Sequence, residues 1–374
     1  MIDVYHIEKV SISKQKGKAM EKYYSLKGIK KLNCEYNILL GERANGKSYS
    51  VKEEALKNAW QNKEEFIYLR RWKEDIRRVS IVNYFADMDI KKYTKGNYDS
   101  IEVYQGGIYF ANEKPDGKKE RGQRIGHAIP LTGETHFKSQ LFPKVTMVIY
   151  EEFITDSGYL RNEPDTLMSL ISTIFRRRSG MVFLIGNTMS RVCPYFAAWQ
   201  LENVPRQKMG TIEIYKFNTK RLDENNEPLI INIAVEYCES TATSSMIFGS
   251  TSSMAVGGAW QTENQNTFTE PIEHLKKFYK ILFEHDTFKF CILIVTGKDK
   301  IPFLAVYPYT KKVNVKDFDR IISNKLYMTR FYSECLGVIT KYDNLFLQLL
   351  KQNKIQFSDN LTGTEFYRIL KERS

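Results

Sequence analysis

Short apolar runs alternate with amphipathic stretches along the first half of the chain. Four of these runs have the length and the uninterrupted apolar character of buried strands, at 36–40, 66–69, 145–150 and 181–185. Between them, residues 49–60 and 164–177 carry apolar side chains at helical spacing. Buried strands that alternate with helices are typical of an α/β domain with a mainly parallel sheet. The pattern predicts such a domain, with helices flanking the sheet, over residues 1–200.

The pattern changes after the second strand and again near residue 200. Gly106-Gly107 separates two short apolar segments and predicts a β-hairpin. The basic stretch 114–124 beyond it is predicted as a loop. Residues 218–265 are rich in Asn, Ser, Thr and Gly, which indicates a linker subdomain over 201–265.

Regular structure is expected again in the last third of the chain. The apolar spacing predicts a helix at 270–284, strands at 287–295 and 303–309, and helices from there to the end. We therefore predict a smaller C-terminal domain over residues 266–374.

Length, composition and net charge limit the classes to which the protein can belong. A chain of 374 residues is long enough for two domains with separate cores. No apolar run approaches 18 residues and no apolar leader follows Met1, so we expect a protein that stays in the cytoplasm, with no membrane partner. The five cysteines are scattered without metal-ligand spacing and are expected to be reduced thiols. The net charge of +12 favours a polyanionic partner but does not identify it.

A phosphate-binding motif lies between the first predicted strand and the first predicted helix. The eight residues are Gly41, Glu42, Arg43, Ala44, Asn45, Gly46, Lys47 and Ser48, which match G-x-x-x-x-G-K-[ST]. In this motif backbone N–H groups and the helix N-terminus bind phosphates, the lysine reaches the β- and γ-phosphates, and the serine is a Mg²⁺ ligand. We predict that these residues, together with Tyr49, bind ATP with Mg²⁺.

Two adjacent glutamates follow the third buried strand, where a P-loop enzyme needs carboxylates. We expect Glu151 to serve the Mg²⁺ and Glu152 to polarise the attacking water. The alternative is a solvated strand end. Asn187 follows the next strand and is a candidate sensor of the γ-phosphate, although a turn-forming asparagine is nearly as well supported.

Two clusters of basic residues each allow two interpretations. Arg176-Arg177-Arg178 ends a predicted helix, where cations are favourable for structural reasons. Alternatively, Arg176 is an arginine finger for the ATP of a neighbouring subunit. A second cluster either faces DNA phosphates or is a solvated helix face, and comprises Arg70, Arg71, Lys73, Arg77 and Arg78.

Taken together, four segments resemble the DNA-encapsidation ATPases of small short-tailed bacteriophages: 41–48, Phe-Ile-Tyr-Leu-Arg-Arg at 66–71, Val-Ile-Tyr-Glu-Glu-Phe-Ile at 148–154, and Thr-Ile-Phe-Arg at 173–176. The resemblance covers about residues 35–200. It implies an ASCE-type P-loop ATPase that forms a homomeric ring, usually a pentamer. Such a ring docks on the portal of an empty capsid and drives double-stranded DNA inward.

The resemblance also implies roles for individual residues. Arg176 and Lys138 correspond to residues that act across the subunit boundary, so both are candidate catalytic residues. Lys73 and Arg161 are candidate DNA contacts. Glu151 departs from the family, which usually has Asp at this position.

Packaging motors of this type resemble larger viral terminases, whose C-terminal domain is an RNase H-like nuclease with several metal-binding carboxylates. Neither of the predicted strands, at 287–295 and 303–309, contains an Asp or a Glu. We therefore expect a vestigial nuclease-like domain without cleavage activity that binds nucleic acid or the portal. Relatives bind a phage-encoded structural RNA there, and whether this chain also binds one stays an open question.

Two functions of other classes stay open beside the motor. The first is a nucleic-acid assembly factor that binds ATP as a switch with little turnover. The second is a small-molecule P-loop kinase, against which the basic charge and the candidate trans-acting arginine argue.

Overall fold

A computed structural model gives the fold of the chain in two compact units. It describes residues 24–137, 139–155, 158–176, 178–222, 226–239, 260, 263–268, 271–285, 288–297, 300–309, 314–323 and 340–372. The first unit consists of the described residues of Met1–Ser190 and Asn203–Trp260, and the second of those of Arg191–Glu202 and Gln261–Ser374. No helix within these ranges is long and apolar enough to cross a membrane.

A nine-stranded sheet forms the centre of the first unit. Its strands are β1 (Tyr36–Gly41), β2 (Glu65–Arg70), β3 (Ser100–Tyr104), β4 (Gly107–Glu113), β5 (Lys119–Pro130), β6 (Val145–Glu151), β7 (Met181–Asn187), β8 (Thr211–Leu222) and β9 (Pro228–Tyr237). The strand order is β3-β4-β5-β2-β6-β7-β1-β9-β8. The six strands from β5 to β9 in this order are parallel, and an antiparallel pairing closes each edge. The sequence pattern of buried strands thus corresponds to the parallel centre of the sheet.

Helices cover the sheet of the first unit. They are α1 (Lys27–Lys30), α2 (Lys47–Gln61), α3 (Arg78–Tyr84), α4 (Ile90–Tyr93) and α5 (Glu163–Phe175). Helix α2 buries Val51, Ala55 and Leu56 in one cluster with Leu39 of β1 and Phe66 of β2. This packing fixes the helix that follows the P-loop against the two strands beside it.

Two strands within the segment predicted as a linker, β8 and β9, belong to the sheet. Strand β9 pairs in parallel with β1, from Tyr36 opposite Ile233 to Leu40 opposite Tyr237. Strand β8 then pairs with β9 and forms the edge. The polar composition of this segment was therefore misleading, because an edge hairpin exposes one side of its strands. The predicted loop at 114–124 was also wrong in part, since β5 begins at Lys119.

A five-stranded sheet forms the core of the second unit. Its strands are β10 (Lys276–His285), β11 (Phe288–Thr296), β12 (Pro302–Pro308), β13 (Arg320–Ser323) and β14 (Ile355–Phe357), in the order β13-β10-β11-β12-β14. Strands β10, β11 and β12 are antiparallel neighbours, and β13 is parallel to β10. The helices are α6 (Pro194–Ala198), α7 (Lys341–Lys351) and α8 (Asn360–Glu372). Strand β14 is parallel to β12 and forms the other edge of the sheet.

The helix predicted at 270–284 is mostly strand β10. Tyr279, Ile281 and Phe283 point to one face and contribute to one core cluster, while Leu282 lies in another cluster. This alternation is the period of a strand buried on both faces. Sequence periodicity alone could not separate such a run from a buried helix.

Candidate functional site

The segment from Gly41 to Ser48 forms a tight loop between β1 and α2. Gly41 adopts a positive φ of 150°, and a Cβ there would lie 3.2 Å from the Asn45 side chain. Ala44 and Gly46 have left-handed backbones, with φ of 61° and 94°. In turns of this kind successive backbone N–H groups can face an anion. The loop therefore has the backbone form that phosphate binding requires.

Lys47 is buried at the centre of this loop. Its ammonium donates to the backbone oxygen of Glu42 at 2.5 Å and to Oδ1 of Asn45 at 3.1 Å. Burial lowers the pKa of Lys47, and the groups of Cys238, Glu151 and Glu42 act in the opposite direction. The ammonium is thus held by two oxygens of the loop, and the oxygens of a bound phosphate could take their place.

A cavity of about 640 Å³ opens in front of the loop. Its walls are residues 43–49, Lys52, Asp87, the glutamate pair at the end of β6, and residues 185–187 at the end of β7. The volume is in the range of cavities that hold small ligands. All predicted nucleotide-site residues from Arg43 to Tyr49 line it, while Gly41 and Glu42 lie beneath, and Glu42 is completely buried.

Glu151, the predicted Mg²⁺ residue, is the last residue of β6 and is only 6% exposed. The hydroxyl of Tyr84 donates to its Oε1 at 2.7 Å, and the Ser48 hydroxyl is also hydrogen-bonded to it. Burial raises the pKa of Glu151, and these two hydrogen bonds act in the opposite direction. The structure thus brings together the hydroxyl and the carboxylate predicted to hold the metal.

Glu152, the predicted catalytic base, has a left-handed backbone with φ of 55° and an exposed side chain. Its Oε2 accepts a hydrogen bond from Arg70 at 2.7 Å. Arg70 also lies 3.6 Å from a carboxylate oxygen of Asp75. Glu152 lines the cavity, but its carboxylate is held by an arginine in this conformation.

Arg71 has a different role from its neighbour Arg70. Its buried guanidinium forms two hydrogen bonds with the carboxylate of Glu163, at 2.8 and 2.9 Å. It also donates to the backbone oxygens of Phe153 at 2.7 Å and of Glu152 at 3.3 Å. This network fixes the backbone where β6 ends. Arg71 therefore does not belong to an exposed basic surface. The sequence analysis placed it in such a cluster and did not predict that it is buried.

The predicted sensor and the predicted arginine finger lie at opposite ends of β7. Asn187 ends the strand opposite Gly41 and lines the nucleotide cavity. Arg176 is exposed after α5 and lines a second cavity, of about 620 Å³, together with Met181 at the start of β7. A strand of this length spans ~20 Å. Arg176 therefore cannot reach the nucleotide cavity of its own subunit.

The remaining predicted contacts are exposed or undescribed. Lys73 lies in a short helical turn after β2, and Arg161 lies in the loop between β6 and α5. Both side chains are exposed and follow the carboxyl ends of adjacent parallel strands. Lys138 lies outside the described residues.

Comparison with known proteins identifies the family. A family model described as podovirus DNA encapsidation protein (Gp16) matches residues 19–334. The chain is 34% identical over 169 residues to a DNA packaging protein of Bacillus phage B103, covering 44% of this chain and 48% of the relative. It is 32% identical over 169 residues to the DNA packaging protein of Bacillus phage phi29, covering 44% and 46%. The chain thus spans about half the length of the curated relatives it matches.

A solved structure of the bacteriophage phi29 viral genome packaging motor assembly is also similar. Its TM-score is 0.52 at 19% identity, and the match covers 94% of this chain and 99% of that one. The similarity shows a shared fold and confirms the predicted P-loop α/β class. The resemblance inferred from the sequence is confirmed as well, because the family model matches well over half of the chain. This protein belongs to the family of podovirus DNA encapsidation proteins (Gp16).

Proposed function

We propose that this chain is an ATP-driven motor that moves double-stranded viral DNA into a preformed procapsid. The observation that carries the proposal is the cavity in which the P-loop lysine Lys47 meets the carboxylates Glu151 and Glu152. The names of the relatives from phages B103 and phi29 support DNA as the load. The shared fold with a chain of the phi29 genome packaging motor assembly supports an assembled motor as the working form, and we propose a homomeric pentameric ring at the portal.

Ser48 and Glu151 are the residues that would hold Mg²⁺. One hydroxyl and one carboxylate suit this ion, which keeps several waters and shares phosphate oxygens of its nucleotide. When bound, Mg²⁺ offsets negative charge on the transferring phosphoryl group. Lys47 would exchange its contacts with the loop for contacts with the β- and γ-phosphates, and Asn187 would sense the γ-phosphate across the cavity.

Glu152 would orient the attacking water and accept its proton. To do so it must first give up its hydrogen bond with Arg70, because that bond occupies one carboxylate oxygen. Arg71 keeps the backbone of Glu152 in place while the side chain is released. The site can therefore bind ATP in one state and hydrolyse it in another.

We propose that the neighbouring subunit completes the site. Arg176 lines a different cavity from the nucleotide, at the opposite end of β7, so it would supply positive charge to the next subunit in the ring. Lys138 is proposed for the same interface. Lys73 and Arg161 are proposed as DNA contacts. Both follow the carboxyl ends of central parallel strands, and the nucleotide cavity lies at the same ends of the strands.

Mixing two inactive variants tests this proposal. We expect Lys47→Ala and Arg176→Ala each to lower the DNA-stimulated ATPase rate by about 10²-fold or more. A mixture of the two should regain activity, because some interfaces combine an intact Lys47 with an intact Arg176. Equal amounts of either variant mixed with wild type give the reference curves.

Three results would count against the motor. Full activity of Arg176→Ala excludes the shared site. Hydrolysis that DNA does not stimulate, with transfer of phosphate to a small acceptor, indicates a kinase. DNA packaging that persists in Glu152→Gln indicates a switch that needs ATP binding only.

A further inference from the structure

Tyr84 connects the metal-site carboxylate to a distant helix. It is the last residue of α3, and its hydroxyl donates to Oε1 of Glu151 at 2.7 Å. The two residues are 67 positions apart in the chain. Ser48, the second proposed Mg²⁺ residue, is hydrogen-bonded to the same carboxylate. Tyr84 and Ser48 thus share the carboxylate of Glu151 as a hydrogen-bond partner.

Several neighbours hold the Tyr84 side chain in position. Its ring packs against the ring of Tyr68 on β2, with centroids 4.6 Å apart. The ammonium of Lys52 lies 4.7 Å from the Tyr84 ring centroid and donates to the Tyr84 backbone oxygen at 2.6 Å. Lys52 is itself buried and ion-paired with Asp87. The hydroxyl therefore has little freedom to move away from Glu151.

We propose that Tyr84 is the positioning residue of the Mg²⁺ site, which fixes the carboxylate of Glu151 in the orientation that receives the metal. This inference rests on the proposed function. Glu has one more rotatable bond than Asp, so its carboxylate loses more freedom on binding a metal. A hydrogen bond from a fixed hydroxyl removes that freedom beforehand. A carboxylate has about four lone-pair sites, so the hydroxyls of Tyr84 and Ser48 together leave capacity for a metal-bound water.

A purely structural role predicts something different. If Tyr84 only satisfied a buried carboxylate, its loss would weaken the fold or the whole cavity, with or without metal. A positioning residue affects the step in which the metal enters. The dependence of nucleotide affinity on Mg²⁺ separates the two roles.

The test uses the full chain with Tyr84→Phe, which keeps the ring and removes only the hydroxyl. Binding of a fluorescent ADP analogue is measured in EDTA and over a Mg²⁺ series, and hydrolysis of ATP is measured over the same series. We expect the Mg²⁺ concentration for half-maximal effect to rise about tenfold in both assays, as is typical when an outer partner of a metal ligand is lost. Affinity in EDTA should stay within about twofold of wild type.

Tyr98→Phe is the matched control. Tyr98 lies in the same unit and packs against Trp60 and Phe110, away from the cavity residues. This variant should show the Mg²⁺ dependence of wild type.

A double-mutant cycle with Glu151→Asp tests the contact itself. The shorter side chain should no longer reach Tyr84, so adding Tyr84→Phe to Glu151→Asp should change the Mg²⁺ requirement by less than about twofold. An equal effect in both backgrounds overturns the role of Tyr84. So does an unchanged Mg²⁺ dependence in Tyr84→Phe, or an equal loss of affinity with and without Mg²⁺. A wild-type protein whose nucleotide affinity does not respond to Mg²⁺ removes the proposed function, and this role with it.

Discussion

The carboxylates at the end of β6 and the carboxylate of Glu284 on β10 belong to different sheets and have opposite surroundings. Glu151 and Glu152 line a cavity beside the P-loop, and their hydrogen-bond donors leave them open on that side. Glu284 is completely buried, with the Lys289 ammonium 3.5 Å from its Oε1 and the Ser323 hydroxyl 3.3 Å from its Oε2. The ammonium of Lys289 thus lies beside the carboxylate of Glu284, in the place that a divalent cation would take if Glu284 bound a metal.

The comparison shows that neighbours, not the acid itself, decide what a carboxylate can do. No group of three or more His, Cys, Asp or Glu side chains in the described residues could hold a metal ion. Glu284 went unnoticed in the sequence because its strand was predicted as a helix. The lack of cleavage activity stays a prediction.

We call a carboxylate closed when it is buried among its partners, as Glu284 is, and open when it lines a cavity, as Glu151 and Glu152 do. The first unit contains a closed carboxylate as well. Glu163 is completely buried and accepts hydrogen bonds from Arg71, from the Tyr150 hydroxyl at 2.8 Å and from the backbone of Leu160 at 2.8 Å. Arg71 therefore contacts both the closed carboxylate of Glu163 and the backbone of Glu152, whose own carboxylate lines the cavity. Variants of the two kinds should differ in whether they change stability or activity.

The largest effect is expected from opening a closed carboxylate. Arg71→Met leaves the charge of Glu163 buried without its main partner and should lower the free energy of unfolding by about 3–5 kcal/mol. Arg70→Met is the matched control, because its partner Glu152 is 62% exposed and such pairs contribute less than about 1 kcal/mol. Urea unfolding of the full chain measures both. Equal stability of the two variants would contradict the distinction between Arg70 and Arg71.

Neutralising an open carboxylate should affect activity and leave stability nearly unchanged. Glu152→Gln keeps the shape of the side chain but cannot accept a proton from water, so kcat should fall by about 10²–10³-fold. The Kd for ATP should stay within about threefold, because Glu152 is not a phosphate-binding residue. Single-turnover hydrolysis and equilibrium binding separate the two quantities. Glu113→Gln, an exposed glutamate on β4, should behave as wild type, and a Glu152→Gln protein that turns over normally would show that another group is the base.

Glu365 on α8 is a closed carboxylate with an incomplete ion pair. The nearest guanidinium nitrogen of Arg191 lies 3.6 Å from its Oε1, and Asp359 and Arg368 are the other charged groups that act on it. Burial raises the pKa of Glu365 to about 7 from the ordinary value of 4.5. As pH rises through this interval the unfolded chain loses its proton first. The stabilising effect of the proton is complete below about pH 4.5 and is lost by about pH 7.

The second unit should therefore become less stable by about 2–3 kcal/mol between pH 5 and pH 8. Hydrogen exchange of the β10 and β11 amides over this range measures the effect, because these amides report local opening of the second unit. Glu365→Gln should flatten the pH dependence. A slope that is the same in the variant would assign the effect to other groups.

Local patterns in the sequence predicted the nucleotide side of the site. The apolar run before Gly41, the helix after Ser48 and the strand before Glu151 are contiguous signals, and each appears in the structure at the predicted place. Contacts between distant positions carried no such signal. Arg71 meets Glu163 across 92 positions, and Tyr84 meets Glu151 across 67. The parallel pairing of β9 with β1 was missed for the same reason, since polar composition does not reveal which strand accepts a partner.

The smallest effect is expected at Lys289. Its side chain is 31% exposed, so Lys289→Met removes a partly solvated partner from the buried carboxylate of Glu284 and should lower the stability of the second unit by about 1–2 kcal/mol. Combining it with Glu284→Gln removes the buried charge too and should restore most of that loss. Urea unfolding and hydrogen exchange of β10 measure the stability, and the ATPase rate at saturating ATP should stay at the wild-type value in both variants. If Lys289→Met were as stable as wild type, Lys289 would not be what closes the Glu284 site, and the contrast with the open carboxylates of β6 would need another cause.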